Sequence, residues 1–418
     1  MSYQLKIRKS LLYELILILS FLHATLRLNP DSFLSAFRVV IPIIYLFLYL
    51  PKINGYLKET KVLIIIFVWN IATSLVFYRQ IISFISFYFH ILSIFAVYIV
   101  LKNYHISDKK FNERVYSLLD RVTSITIFLF LFQFIFRFQF PNTVPGRLSL
   151  YYWTENELGM SLAIMIPIYI INLKNRHIWN VLPKIIAIFM ILFINDNKVS
   201  IIGLVLAFAV QLLISNIEVI KEKRTYLFGL ITVLIALLLG AYLWNPNLTF
   251  VGYSIELREL VFDPIERIVM LNPYNLAGSV YDRTDAIIYG IMELKRTFFL
   301  GIGLGNANEM LKLPEYTLVT AKSMHNFYAQ IVVELGLLGI YFIYYVGKKT
   351  IRGLVYDSTQ KINRLRLIYY ISFPIISMQS SAGIFSNYFV WATLIYVAIY
   401  KKGIIRENEN FGINKATQ

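Results

Sequence analysis

One histidine stands where a titratable group would be most useful. His325 ends the long segment Asn245–Met324, within the run Ser323-Met324-His325-Asn326-Phe327-Tyr328, and the apolar stretch Ile331–Val346 follows. An unperturbed imidazole titrates near pH ~6.5 and so can serve as a general base at neutral pH. The plainer alternative is a histidine that only anchors a helix end, with Asn326 as the cap of the helix that follows. Arg283, in Asp282-Arg283-Thr284-Asp285, is the second candidate. A guanidinium fork matches phosphate oxygens in two-point geometry, while its bland reading is a solvated helix start balanced by carboxylates. Arg258, Arg267, Lys295 and Arg296 share that segment and are less distinctive.

Two further basic positions are set apart by their surroundings. Lys198 follows Asn195-Asp196-Asn197 at a turn between two apolar runs, where it could snorkel to an interface or contact a lipid-linked phosphate. Arg147 lies beside Gly146 in a short segment, Arg137–Glu155, that also holds Tyr151-Tyr152-Trp153. Glu155 and Glu157, two apart at the entrance to an apolar run, read as interfacial solvation. Gly301, Gly303 and Gly305 superficially resemble a phosphate loop, but no strand precedes them and Asn306-Ala307 leave the dinucleotide pattern incomplete, so a tight turn is the better reading. The five histidines are dispersed and no His, Asp or Glu cluster has ligand spacing, so no metal and no cofactor is expected. The chain has no cysteine, which excludes disulfides and thiolate chemistry.

The elements that must position these groups are membrane helices. The chain is 58% hydrophobic and only 15% charged, with a mean hydropathy of +0.62, far from a soluble domain. Candidate spans number about 12, approximately over 11–27, 38–51, 61–78, 81–101, 116–136, 156–173, 178–195, 199–219, 225–244, 325–347, 365–380 and 383–400. The basic start is followed by an apolar run without a small-residue cleavage site, so it reads as a retained first span. With both termini inside, most of the 40 Lys and Arg fall in inside segments, as the positive-inside rule requires. That placement explains the net charge of +16 without any nucleic-acid partner. The expected organisation is membrane helices over 1–244, a large extracytoplasmic loop over 245–324, further membrane helices over 325–400 and a cytoplasmic tail over 401–418. Within the loop, apolar residues at three- and four-residue intervals from Asp282 to Leu294 predict a helix that the glycines end.

His325-Asn326, nine residues, Gly336, two residues and Gly339 (HNFYAQIVVELGLLG) resemble the signature of the O-antigen ligase and polymerase superfamily. Gly146-Arg147-Leu148 followed by Glu155-Asn156-Glu157-Leu158-Gly159, and Asp282-Arg283 followed by Gly301-Ile302-Gly303-Leu304-Gly305-Asn306, are similar to that family's stretches in the same order, so the resemblance covers roughly residues 140 to 345. Lys198 departs from the arginine the family often carries at this turn, keeping the charge without the fork. The resemblance implies an all-α polytopic glycosyltransferase of GT-C type in a bacterial cytoplasmic membrane. Its substrate would be an undecaprenyl-pyrophosphate-linked oligosaccharide, and its partners a chain-length regulator and a flippase. It implies His325 as base and Arg283, with Lys198 and Arg147, as neutralisers of the leaving pyrophosphate. Asn326, Tyr152 and Trp153 join these as substrate contacts, the aromatic rings stacking on sugars or merely forming the interfacial belt. Polymerase and ligase share the motif. A transporter would instead place charges inside its spans, where the candidates are few, chiefly Glu14, Asn70, His90, Arg121 and Lys184.

Overall fold

The computed structural model describes residues 11–19, 40, 42–48, 55–77, 81–140, 146–150, 152, 154–172, 178–195, 197–215, 247–250, 253–256, 263–271, 279–313, 324–356, 361–378 and 387–399. Apart from one hairpin these residues form helices and the turns and irregular segments beside them. The helices are α1 (11–19), α2 (42–48), α3 (Leu57–Phe77), α4 (Ile81–Ser107), α5 (Phe111–Phe136), α6 (Glu155–Ala163), α7 (Ile166–Asn172), α8 (Ile178–Ile194) and α9 (Lys198–Ser215). They continue as α10 (Asp263–Met270), α11 (Ser279–Arg296), α12 (Ala307–Met310), α13 (Phe327–Leu335), α14 (Leu337–Tyr356), α15 (Lys361–Ser377) and α16 (Tyr388–Ile399). The span expected over 225–244 lies outside the described residues.

Three of the described helices are long and apolar enough to cross a membrane, within Thr60–Phe77, Phe87–Ser107 and Phe111–Phe136. Shorter apolar helices fall at Ile178–Ile194, Val199–Ala209, Ile368–Ser377 and Tyr388–Ile399. These helices leave Ile64, Ile65, Phe128, Ile135, Phe193 and other large apolar side chains exposed, as lipid-facing helices do.

Two expected spans are broken. The run 156–173 turns at Ile164–Met165 into α6 and α7, and the Tyr369 hydroxyl donates to the Ile164 carbonyl at that break. The run 325–347 is broken at Gly336 into α13 and α14. A hairpin not anticipated from the sequence pairs β1 (Asn247–Phe250) with β2 (Tyr253–Glu256) in antiparallel register, Leu248 opposite Ile255.

The chain forms two compact units. The first holds Met1–Phe67, Ile85–Phe208 and Thr350–Gln418. Within it Asp120 of α5 receives both Lys184 of α8, at 2.6 Å, and the Tyr169 hydroxyl of α7, at 2.8 Å. One of the charges that a transporter would need inside its spans is therefore neutralised by a partner. The second unit holds Val68–Phe84 and Ala209–Lys349, and its core packs Ala286 and Tyr289 of α11 against Ile302, Met310, Met324 and Val333.

Candidate functional site

In the second unit α11 and α13 lie side by side because Gly290 lets them. A Cβ at Gly290 would come within 2.6 Å of the Met324 methyl and 2.7 Å of Val333 Cγ2. Met324, fully buried, is the residue just before His325, so the core contact fixes the imidazole's backbone. His325 itself has φ +45°, in the left-handed region that L residues adopt only when the surroundings enforce it. Asn326 then caps α13 by accepting a hydrogen bond from Ala329 N at 3.1 Å. Asn326, expected among the substrate contacts, thus uses its side-chain oxygen as a helix cap, the role foreseen as its alternative.

The packing brings Arg283 of α11 to His325. Both are half-buried, and burial is the larger cause lowering the imidazole pKa below its ordinary value. The Arg283 charge lowers it further, and Asp282 acts in the opposite sense. Burial also lowers the Arg283 pKa, although a guanidinium stays charged at any physiological pH. Two residues further along α11, Asp285 forms a buried ion pair with Arg267 of α10, their side chains 2% and 3% exposed. Arg267 is therefore a clamp that holds α11, and Arg296 is tied to Glu293 at 2.8 Å. Arg258 lies outside the described residues.

The glycine run closes the far end of the same unit. Ile302 N donates to Val333 O and Gly303 N to Glu334 O, while Leu337 N donates to Phe299 O. Gly301, Gly303, Gly305 and Gly336 all have positive φ. A Cβ at Gly303 would sit 2.1 Å from Ser74 Oγ, and one at Gly339 would sit 2.4 Å from the Ile331 carbonyl oxygen. The spacing from His325 to Gly336 to Gly339 thus has a steric meaning: one helix from its cap to its break, then a close backbone contact. Glu334, fully buried, accepts from Gln330 Nε2 at 2.8 Å and from Ala307 N at 3.3 Å. Sequence reasoning passed over it, although a lone carboxylate in an apolar run was a usable signal.

The remaining candidates lie in the first unit. Arg147 is more than half exposed and pairs with Glu155 at 3.6 Å. Asn195 Nδ2 donates to Leu148 O and Asn197 Nδ2 to Glu155 O, so the turn before Lys198 is stitched to the segment carrying Arg147. Gly159 makes this fit possible, since a Cβ there would collide with the Asn197 amide at 1.8 Å. Lys198 opens α9. Tyr152 is 3% exposed, a core position that does not offer its ring to a sugar, and Tyr151 and Trp153 lie outside the described residues. Glu157 is buried rather than solvated at an interface, on an α6 capped by Thr154 Oγ1 accepting from Glu157 N.

The structure therefore joins His325 with Arg283 in one unit, and Arg147 with the Lys198 turn in the other. No curated protein matches the chain. Residues 184–344 match the family model described as O-Antigen ligase. That stretch contains Lys198, Arg283, the glycine run and His325, whereas Arg147 and Tyr152 precede it. Over this stretch, which is less than half of the chain, the match supports the resemblance to the O-antigen polymerase and ligase superfamily.

Proposed function

We propose that this protein is a polysaccharide polymerase that moves a growing glycan from undecaprenyl pyrophosphate onto the next lipid-linked repeat, on the outer face of a bacterial cytoplasmic membrane. The observation that carries the reading is a half-buried imidazole within electrostatic reach of a half-buried guanidinium, on two helices packed together inside the family-matched stretch. His325 accepts the proton of the attacking sugar hydroxyl as its oxygen bonds to the anomeric carbon of the donor glycan. The bond from that carbon to the pyrophosphate oxygen breaks, and the lipid pyrophosphate leaves with the electron pair. Arg283 offsets the charge that develops there, and placing such groups in advance is usually the larger catalytic contribution. The lowered imidazole pKa suits the role, because it keeps the neutral, proton-accepting form in excess at neutral pH.

In this reading Lys198 and Arg147 also offset charge on the carrier's phosphates, and no divalent ion is required because pyrophosphate already leaves readily. The rest of the architecture would be about 12 spans of GT-C type, with both termini cytoplasmic and a principal outer segment over 245–324. A chain-length regulator and a flippase are the natural partners, and capsule or O-antigen the natural product.

A ligase that passes a finished glycan to a lipid or wall acceptor would use the same pair of residues, and it is the second reading. The test is a reconstituted assay with a lipid-linked repeat as sole substrate, run on a sizing gel for the native chain and His325→Ala. A ladder of longer lipid-linked products that His325→Ala loses supports the polymerase. Transfer only after a lipid-core acceptor is added supports the ligase, and lipid flipping without transfer would overturn both.

A further inference from the structure

We propose that Ser279–Asn306 is a re-entrant element: α11 descends into the bilayer, the turn Phe298-Phe299-Leu300 meets lipid acyl chains, and the glycine run carries the chain back out. This placement is independent of the reaction catalysed.

The first support is where the turn is held. Trp69 Nε1 donates to Leu300 O at 3.2 Å, Asn70 Oδ1 accepts from Leu304 N at 2.7 Å, and Asn306 Nδ2 donates to Ser74 Oγ at 3.2 Å. Trp69, Asn70 and Ser74 belong to α3, within the apolar span Thr60–Phe77. At ~1.5 Å per residue, Trp69 lies roughly 12 Å along the helix from its end at Phe77, well inside the hydrocarbon.

The second support comes from α13. His325 precedes its cap Asn326, the helix runs for nine residues, and just past its end Phe299 O accepts from Leu337 N, with Gly301 packed on Gly336. A helix of that length spans roughly 13 Å, so the turn lies as far below His325 on this side as below Phe77 on the other.

The third support is the chemistry of the turn itself. Phe298, Phe299 and Leu300 are 79%, 44% and 36% exposed, and both phenylalanines have positive φ. They continue a surface on which Val68 and Val76 of α3 and Leu337 and Ile340 of α14 are also exposed. That continuity with the candidate span α3 selects lipid as the occupant. Irregular backbone survives at such depth only where its polar groups are satisfied by protein. Here Phe298, Phe299, Leu300, Ile302, Gly303 and Leu304 all donate their N–H groups to protein oxygens. The charges just above are accommodated too: Arg296 pairs with buried Glu293, and the Lys295 stem is long enough to snorkel. The arrangement anchors the far end of α11 in hydrocarbon and leaves Arg283 and His325 near its edge, where a lipid-linked phosphate resides.

The native chain has no cysteine, so single-cysteine variants need no background removed. Phe298→Cys, and Phe299→Cys as an independent second position, would be labelled with an environment-sensitive maleimide fluorophore. The full chain would be reconstituted in phosphatidylethanolamine–phosphatidylglycerol vesicles with and without brominated acyl chains. Val76→Cys gives the lipid reference and Lys312→Cys, more than half exposed outside the turn, the aqueous one. Several-fold quenching by brominated chains, matching Val76→Cys, with little quenching by aqueous iodide, is the expected result. Iodide quenching equal to that of Lys312→Cys overturns the proposal. So does quenching by neither agent together with cross-linking of Phe298→Cys between two copies, which would make the turn a subunit interface.

Discussion

Gly301 and Gly336 each occupy the space that a side chain on the other would need: a Cβ on either would lie 2.6 Å from the other's backbone nitrogen. Both carry positive φ, at +88° and +59°. This contact seats the turn after α11 on the break between α13 and α14, so the ends of the two helices that bear Arg283 and His325 are fixed together.

Gly336→Ala should therefore be costly twice, through strain at positive φ and through a backbone collision that no rotamer relieves. About 1–3 kcal/mol of destabilisation is expected from overpacking alone. Gly347→Ala, where nothing lies within 4 Å of the added carbon, is the matched control. Thermal unfolding of the purified protein in detergent should show a lower midpoint for the first and little change for the second. Equal midpoints would show that the glycine contact is not tight.

The pH profile of transfer reports on His325. The base must be neutral, so activity is full above its pKa and falls as pH drops through it. Burial and Arg283 lower that pKa, so the acid limb should lie below the ~6.5 of a free imidazole. Asp282→Asn removes a contribution that raises it and should move the limb to still lower pH, while Arg283→Gln should move it upward. Steady-state rates across pH for the three proteins test the sign of each shift; a profile indifferent to both substitutions would remove His325 from the proton transfer.

Arg283→Lys separates charge from geometry. Lysine keeps the positive charge near His325 but loses the two-point fork. A rate loss of about 10-fold or more, with the acid limb unmoved, is expected if the guanidinium clamps phosphate oxygens, the loss corresponding to ~1.4 kcal/mol of transition-state stabilisation. Near-native turnover would return Arg283 to the role of a helix-start residue.

Chelation tests the metal-free mechanism. Transfer by the reconstituted enzyme should be unchanged after treatment with a divalent-ion chelator. Loss of activity restored by one particular ion would require a metal in the reaction and reassign part of the charge neutralisation given to Arg283.

Much of this was written in local sequence. The apolar runs specified helices at Leu57–Phe77, Ile81–Ser107, Phe111–Phe136 and Ile178–Ile194, since a backbone in lipid must bond to itself. The three- and four-residue spacing from Asp282 to Leu294 specified α11, and Asn326 its neighbour's cap. His325 and Arg283 were identifiable by residue type, by the interruption in apolarity around them and by the signature that contains His325. Tertiary structure decided what depends on residues remote in the chain. It made Gly336 a break within an expected span, because Gly301 fills the space beside it. It turned Tyr152 and Glu157 inward, against the expectation of an interfacial ring and a solvated carboxylate. It recruited Asn70 and Ser74 of α3 to hold a turn more than two hundred residues away. Local apolarity selects a helix because its hydrogen bonds are its own; a turn, a buried acid or a polarised histidine depends on whichever distant groups the fold brings beside it.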